Sequence, residues 1–283
     1  MVRAAKSTRP VHTLNDAIQS LEAAVLVCYA TPKKKPVHQV RTWTRRVEAQ
    51  LELIAQLPDA PAAGKQRDRA LRILKKLRRT AGDVRDLDVE RDLIAQETRK
   101  KQDPSQTDRT LHKQARKLRR ELKQRRHREA DSLRSLLKKI RKELPAVLQV
   151  LRAKFAPVNE AALSEPELLT LVGDWYARSS PQQPSLIGKS KALHAVRKCA
   201  KLARYMVAPT SKSTGRASTN AQRLSYYFEA LQHTGGEWHD LLQLQKLAAK
   251  ELGRSSELAM HFAQRSDQAL RTFKRQLAGP ISV

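Results

Sequence analysis

Apolar residues recur every three or four positions along most of the chain, as they do in amphipathic helices. In the first such segment Leu14, Ile18, Leu21 and Val25 fall on one side. No stretch shows the strict alternation of polar and apolar residues that marks a half-buried strand. Aromatic residues make up only 4% of the sequence, which also favours helices over strands. The pattern predicts an all-α protein.

Helical segments are predicted between clusters of Gly, Pro and polar residues. In the first half they run from a cap at Thr13 or Asn15 to Ala30, and over Val37–Leu57, Gln66–Ala81, Val84–Lys100 and Arg109–Glu143. In the second half they run from an opening at Ser164 and Pro166 to Arg178, and over Lys189–Val207, Ala221–Gln232, Glu237–Leu252 and Ser256–Leu277. Gly82 is the predicted end of the third helix, and Pro145 predicts a break or kink. Polar loops are predicted at 102–108, 179–188 and 209–220.

Two short motifs occur twice at nearly the same offset. A histidine followed by cations at plus three and plus seven starts at His38 and again 156 residues later at His194. A glycine followed by an aspartate at plus four occurs as Gly82 with Asp86, and 154 residues later as Gly236 with Asp240. The shared offset predicts two copies of one helical unit, residues 1–145 and residues 146–283.

Positive charge dominates the composition. The chain has 56 Lys and Arg against 28 Asp and Glu, a formal net charge of +28. Like charges at this density repel one another in a compact fold, so the composition indicates a polyanionic partner that relieves the repulsion. Nucleic acid, an anionic membrane surface and inorganic polyphosphate are the candidate classes.

The cysteines and the hydropathy suggest a compartment. Cys28 and Cys199 are far apart and form no CxxC motif, which favours a reducing environment. No run of about eighteen apolar residues could span a bilayer, and the N-terminal segment lacks the apolar core of a secretory signal. We expect a cytoplasmic protein that does not span a membrane.

The repeated histidine motif has a definite helical geometry. Positions i, i+3 and i+7 fall on one face of a helix, so His38, Arg41 and Arg45 form a basic stripe. The opposite face carries Val40, Trp43, Val47, Leu51 and Ile54. The second copy places Val196, Cys199, Ala200, Ala203 and Val207 opposite His194, Arg197, Lys201 and Arg204. A helix that packs by one face and presents cations by the other suits an extended anion.

Other charged residues admit structural as well as functional interpretations. Cations recur at helical spacing in the third and fifth predicted helices, at Arg72, Lys75, Lys76, Arg79, His112, Arg116, Arg119, Lys123 and Arg126. A solvated helix face is the alternative to ligand binding for these. A structural histidine is the alternative for His38 and His194. Asp86, Asp88 and Asp240 could suggest metal or acid–base chemistry, but they are interpreted as carboxylates in the first turn after a glycine break, where they can pair with Arg85. Trp43, Trp175, Trp238 and Tyr205 are expected in the core or at its rim.

Enzyme signatures are missing from the sequence. It contains no HExxH, GxxxxGK[ST], GxSxG or GxGxxG motif, and neither cysteine has a nucleophile context. We expect a non-enzymatic protein with no catalytic residues, metal site or cofactor.

Three segments together resemble the CHAD domain, an α-helical domain named for its histidines. They are H-x-x-R-x-x-x-R-R at His38–Arg46, G-x-x-R-D-x-D-V at Gly82–Val89, and a weaker H-x-x-R-K-x-x-K-x-x-R-Y at His194–Tyr205. The resemblance extends from about Leu14 to about Leu277. The second copy of the glycine motif departs from the pattern at His239 and Leu242, which stand where the first copy has Arg85 and Asp88. The E-x-E-x-K motif of the triphosphate-tunnel domain that some relatives carry is missing.

The resemblance implies two pseudo-symmetric four-helix bundles that form one unit around a central basic groove or pore. It implies non-enzymatic binding of inorganic polyphosphate there, at polyphosphate granules, with the oligomeric state left open. The implied lining residues are His38, Arg41, Arg45, Arg46, His194, Arg197, Lys198, Lys201 and Arg204, with Arg72, Lys75, Lys76, Arg79, Arg116, Arg119 and Lys123 as weaker candidates. The alternatives are a nucleoid-associated DNA- or RNA-binding protein, for which the net charge ensures some nonspecific affinity, and a phosphatase or polyphosphatase.

Overall fold

The structure of the chain, a computed structural model, describes residues 7–99, 106–181, 190–211 and 219–279. Within these ranges it forms eight α-helices, one short 3₁₀ turn and no strand beyond an isolated bridge between Thr8 and Leu163. The helices are α1 Pro10–Ala30, α2 Lys34–Ile54, α3 Gly64–Glu97, α4 Gln106–Phe155, α5 Glu165–Ser179, α6 Ser190–Ser211, α7 Thr219–Leu252 and α8 Glu257–Ala278. The all-α prediction is confirmed. The predicted bounds Lys100 and Lys189 lie outside the described residues, as do most of the three predicted loops.

Several helix starts follow from local sequence. Ser164 and Glu167 form a capping box at the start of α5, and Ser256 accepts a hydrogen bond of 3.3 Å from the Ala259 N–H at the start of α8. Both starts agree with the sequence prediction. The turn between α7 and α8 contains Gly253 at φ 93°, a left-handed conformation that glycine adopts without strain.

The predicted breaks at Gly82 and between Gln232 and Glu237 are wrong, because α3 and α7 each run through 34 residues without interruption. Leu77 and Val84 are both buried on either side of Gly82, so the apolar face of the helix continues across it. An isolated glycine in a helix costs only about 1 kcal/mol relative to alanine, which this burial offsets.

The predicted end of the long basic helix at Glu143 is also wrong. The helix α4 continues through Pro145 to Phe155, and its apolar face continues with buried Leu144, Leu148 and Leu151. Pro145 is exposed, so the hydrogen bond that its missing N–H removes falls on the solvent side, where water replaces it.

Two apolar cores hold the helices together. The first combines α1 and α2 with the early part of α3 and the late part of α4. The second combines α5 to α8 with Ile94 of α3, with Leu118 and Leu122 of α4, and with Leu53 of α2. Three helices therefore contribute to both cores and connect them. The pseudo-twofold relation between two bundles and the boundary at residue 145 stay predictions.

The helices α2 and α6 pack directly against each other. The Gln50 side chain of α2 donates a hydrogen bond of 3.4 Å to the backbone carbonyl of Tyr205 on α6. This contact brings the two basic stripes together. None of the described helices is long and apolar enough to cross a bilayer.

Candidate functional site

A cavity of about 740 Å³ is lined by residues of α2, α3, α6 and α7 and by Arg265 of α8. It contains seven of the sixteen predicted binding residues. They are His38, Arg41, Arg45, Arg46, Arg197, Lys201 and Arg204. Tertiary packing therefore brings cations from two distant parts of the sequence to one surface.

The apolar faces of α2 and α6 orient these cations. Val40, Val47 and Leu51 of α2 are fully buried, as are Ala200, Ala203 and Val207 of α6. The predicted burial of these faces is confirmed. Because each helix packs by its apolar face, the cations on the remaining faces meet at the cavity.

Positive charge is in excess in this cavity. Eight cationic side chains line it against four carboxylates, the cations being Arg41, Arg45, Arg46, Arg85, Arg197, Lys201, Arg204 and Arg265 and the carboxylates Asp86, Glu97, Glu237 and Asp240. Three buried guanidinium nitrogens, Arg46 Nε, Arg85 Nη1 and Arg197 Nε, find no hydrogen-bond partner in the described part of the chain. Arg67, Arg91 and Arg152, outside the cavity lining, have buried Nε atoms in the same state, so the excess of cations and not these nitrogens distinguishes the cavity.

The crowding of cations changes their titration. Burial, followed by the positive charges of Arg45, Arg41 and Arg197, lowers the pKa of Lys201 to about 7. Burial lowers the pKa of Arg45 to about 10, and the positive charges of Arg41 and Arg78 contribute smaller shifts in the same direction. An anion placed among these side chains would restore the stability of their charged forms.

The carboxylates of the cavity interact unequally with the cations. Arg265 binds Glu97 through two hydrogen bonds of 2.8 and 2.9 Å, and these bonds lower the pKa of Glu97. Arg41 Nη2 lies 3.5 Å from Asp86 Oδ1. Burial raises the pKa of Asp240 to about 6, although the nearby Arg197 opposes that rise. Arg204 of α6 also pairs with Glu229 Oε1 at 2.8 Å, and the cavity remains positive because its cations outnumber its carboxylates.

The two histidines that begin the stripes lie in different environments. His38 lines the cavity. Burial lowers its pKa, and the positive charges of Arg85, Lys201 and Arg41 lower it further. His194 is not among the lining residues; its ring stacks on Trp238 at 4.8 Å between centroids. Burial also lowers the pKa of His194. At neutral pH His38 is therefore a neutral hydrogen-bonding group at the cavity surface.

A family model and a solved structure both match this chain. The family model of the CHAD domain matches residues 12–249. The chain belongs to the CHAD domain family. A crystal structure of the CHAD domain from the plant Ricinus communis is similar, with a TM-score of 0.62 and 16% sequence identity over 99% of this chain and 95% of that one. At this identity the match shows a shared fold. Comparison with curated protein sequences finds no significant match.

The remaining predicted residues of this CHAD domain lie away from the cavity lining. They are exposed on α3 (Arg72, Lys75, Lys76, Arg79), on α4 (Arg116, Arg119, Lys123) and on α6 (Lys198), apart from the stacked His194. These side chains lie on solvent-exposed helix faces, the alternative to ligand binding given above. Their part in binding stays a prediction.

The sequence interpretation of three aspartates is wrong. Asp86, Asp88 and Asp240 lie within continuous helices and not in a first turn, because the glycines do not end the helices. Asp88 is buried and pairs with Arg126 Nε at 3.1 Å, not with Arg85. Arg126 also donates a hydrogen bond of 2.8 Å to the Pro32 carbonyl, so this predicted surface cation serves the structure.

Several lining residues of the CHAD cavity were not predicted as ligands. Arg85 belongs to the glycine motif and could have been found from it, whereas Arg265 and Glu97 belong to no motif. No group of three or more His, Cys, Asp or Glu side chains in the described ranges is arranged to hold a metal ion. Trp175 and Trp238 are buried and Trp43 packs at the rim of the first core, as predicted.

Proposed function

We propose that this CHAD domain binds inorganic polyphosphate in the cavity between α2 and α6, without catalysing a reaction, and that it associates with polyphosphate granules. The observation that carries the proposal is the meeting of cations from both basic stripes in one cavity, where eight cationic side chains stand against four carboxylates. A linear chain of phosphates offers many anionic oxygens to such donors and matches their planar geometry.

The aromatic residues near the cavity favour phosphate over nucleobases. Tyr205 is the one aromatic ring other than histidine among the lining residues, and the Arg46 guanidinium lies 5.8 Å from its centroid. The same guanidinium lies 4.4 Å from the Trp43 centroid. Single-stranded nucleic acid is usually held by bases stacked on free aromatic side chains. The Arg46 guanidinium lies over both rings, so neither ring is free to stack on a nucleobase. The cavity therefore favours a ligand that is bound through its phosphate oxygens.

Competition with duplex DNA tests the choice of polyanion. The assay uses fluorescent long-chain polyphosphate at about 150 mM salt, where nonspecific attraction is screened. We expect polyphosphate to be retained against an equal phosphate concentration of duplex DNA. Displacement by the DNA would favour the nucleoid-associated alternative, which rests on the net charge of +28.

Matched triple variants test the location of the site. Arg41, Arg45 and Arg197 are changed to Gln in one protein, and the exposed Arg128, Lys138 and Lys142 in a control that removes the same charge. Loss of three charge-assisted contacts is expected to weaken binding by at least about 100-fold in the first protein, and the control is expected to change it only a few-fold. Equal losses would mean that only net charge matters. A third set, Arg72, Lys75 and Arg79, tests the exposed face of α3.

Chain-length analysis tests the absence of catalysis. The protein is incubated with polyphosphate and divalent metal ions, and the products are separated by length. We expect the length distribution to stay unchanged. Reproducible shortening would overturn the non-enzymatic proposal in favour of a polyphosphatase.

A further inference from the structure

Two glycines lie in the middle of long helices, each against an arginine of a basic stripe. Gly82 of α3 is buried, and a Cβ added there would overlap the Arg41 guanidinium. Gly235 of α7 is also buried, and a Cβ there would lie 3.2 Å from Arg197 Cγ and 2.9 Å from the Phe273 ring. The arginines come from equivalent positions of the two histidine motifs.

Neither glycine is required by backbone conformation. Both lie within continuous helices, and the one described glycine with positive φ is Gly253. Alanine is a better helix former than glycine at such positions. The contacts with Arg41 and Arg197 supply a reason of packing for the missing side chain.

A carboxylate lies one turn beyond each glycine. Asp86 follows Gly82 by four residues and approaches Arg41 Nη2 at 3.5 Å. Asp240 follows Gly235 by five residues, and its charge opposes the lowering of the Arg197 pKa that burial causes. Each arginine thus has room beside the glycine and an electrostatic partner one turn further along the same helix.

We propose that Gly82 and Gly235 are positioning residues, whose missing side chains let Arg41 and Arg197 lie against α3 and α7 and direct two guanidinium groups into the cavity. The inference rests on the proposed function, since the positioned groups are its ligands. It also distinguishes Gly235 from Gly236, the residue that aligns with Gly82 by its spacing to aspartate. A Cβ at Gly236 meets nothing within 4 Å.

Alanine variants separate the two kinds of glycine. Gly82→Ala adds one methyl group and leaves the net charge unchanged, but it forces the Arg41 guanidinium to move. We expect polyphosphate affinity to fall about tenfold, which corresponds to one charge-assisted hydrogen bond. The slope of log affinity against log salt is expected to shrink by about 0.7, as one cation leaves the contact. Gly173→Ala in α5, away from the cavity lining, is the matched control, because a Cβ there meets nothing within 4 Å, and its affinity is expected to stay unchanged within about twofold.

A double variant shows whether Gly82 acts through Arg41. In an Arg41→Ala background the added methyl group has room. Adding Gly82→Ala is therefore expected to lower neither the polyphosphate affinity nor the melting temperature relative to Arg41→Ala alone. The same cycle is measured by urea unfolding without any anion. Coupling in both measurements supports the proposal. An unchanged affinity for Gly82→Ala, or the same loss in both backgrounds, overturns it.

The two proposals fail in different ways. If wild-type protein does not prefer polyphosphate to duplex DNA but Gly82 and Arg41 remain coupled in unfolding, the polyphosphate proposal fails and the packing role of Gly82 stands. If the wild type binds polyphosphate and the coupling is missing, only the positioning role fails. Gly235→Ala is less discriminating, because its Cβ would also displace the fully buried Phe273.

Discussion

Replacing Lys201 by methionine is expected to stabilise the unliganded protein and to weaken anion binding. Methionine keeps a side chain of similar length, so most of the packing of this half-buried residue is retained. What is lost is an ammonium whose pKa is lowered to about 7 by burial and by three neighbouring arginines. That ammonium opposes folding when the cavity is empty, and under the proposed function it is expected to bind phosphate oxygens when the cavity is filled.

The magnitude follows from the change in pKa. A fall from 10.5 to about 7 corresponds to roughly 4 to 5 kcal/mol against the charged form. Because Lys201 is partly exposed and its neighbours can move, we expect about 1 to 3 kcal/mol of added stability in the variant. The unfolded chain holds the proton up to about pH 10.5 and the folded chain only up to about pH 7. The stabilisation is therefore full below pH 7 and disappears as the pH rises towards 10.

Two measurements test this reasoning. Urea unfolding of wild type and Lys201→Met at about pH 6 and about pH 9, without phosphate, gives the difference in unfolding free energy. Titration with polyphosphate gives affinities, which in the wild type are expected to fall by up to about tenfold per pH unit above pH 7, because binding requires the charged lysine. The variant is expected to bind more weakly and to lose this dependence. Protonation of Asp240, whose pKa is raised to about 6, is expected to strengthen binding at lower pH in both proteins.

Lys138→Met, on the exposed surface of α4, is the matched control and is expected to change neither property. A Lys201→Met protein that is equally destabilised at both pH values, or that keeps the binding pH profile of the wild type, would contradict this role of the lysine charge.

Further predictions concern two ion pairs and the first core. Asp88→Ala leaves the guanidinium of Arg126 buried without its carboxylate, and this is expected to lower the free energy of unfolding in urea by about 3 kcal/mol. Polyphosphate affinity is expected to stay unchanged. Recovery of stability in Asp88→Ala/Arg126→Met would identify the unpaired charge as the cause. Glu97→Gln weakens the pair with Arg265 and frees positive charge, so titration is expected to show tighter polyphosphate binding, whereas weaker binding would contradict this role. Because the pKa of Glu97 is lowered, its contribution to stability is present above pH 4.5 and is lost as the pH falls through the folded-state value. A fragment ending at residue 145 lacks Leu148 and Leu151 of the first core and is expected to show no cooperative thermal transition; a sharp transition would mean that this core closes without them.

Helical periodicity predicted the fold class and most helix positions, because amphipathic spacing depends on the sequence alone. It misplaced helix ends wherever a local breaker was overridden by burial. Glycine disfavours the interior of a helix weakly and proline strongly. Buried leucines nevertheless lie on each side of Gly82 and of Pro145, and the helices continue through both. A single sequence shows the breaker but not the partner helix that compensates for it.

The basic face of each helix was predictable for the same reason, but the set of residues that line the cavity was not. The spacing of His38, Arg41 and Arg45 predicted one basic face, whatever lies opposite it. Arg265 lines the cavity because α8 packs against α7 and places this side chain beside Glu97 of α3. His194 is excluded because Trp238 lies against its ring. Neither outcome is encoded in spacing within one helix.

Composition and periodicity were enough to predict that this CHAD domain is helical, strongly basic and equipped with two cationic stripes. Those properties depend on residue types and on helical geometry, which act over a few residues. The packing of the helices sets which cations meet in one cavity, which carboxylates lie beside them, and which glycines lie against arginines. Such relations depend on side chains brought together from helices that lie far apart in the chain, where packing and electrostatic distance, not sequence separation, govern their energies.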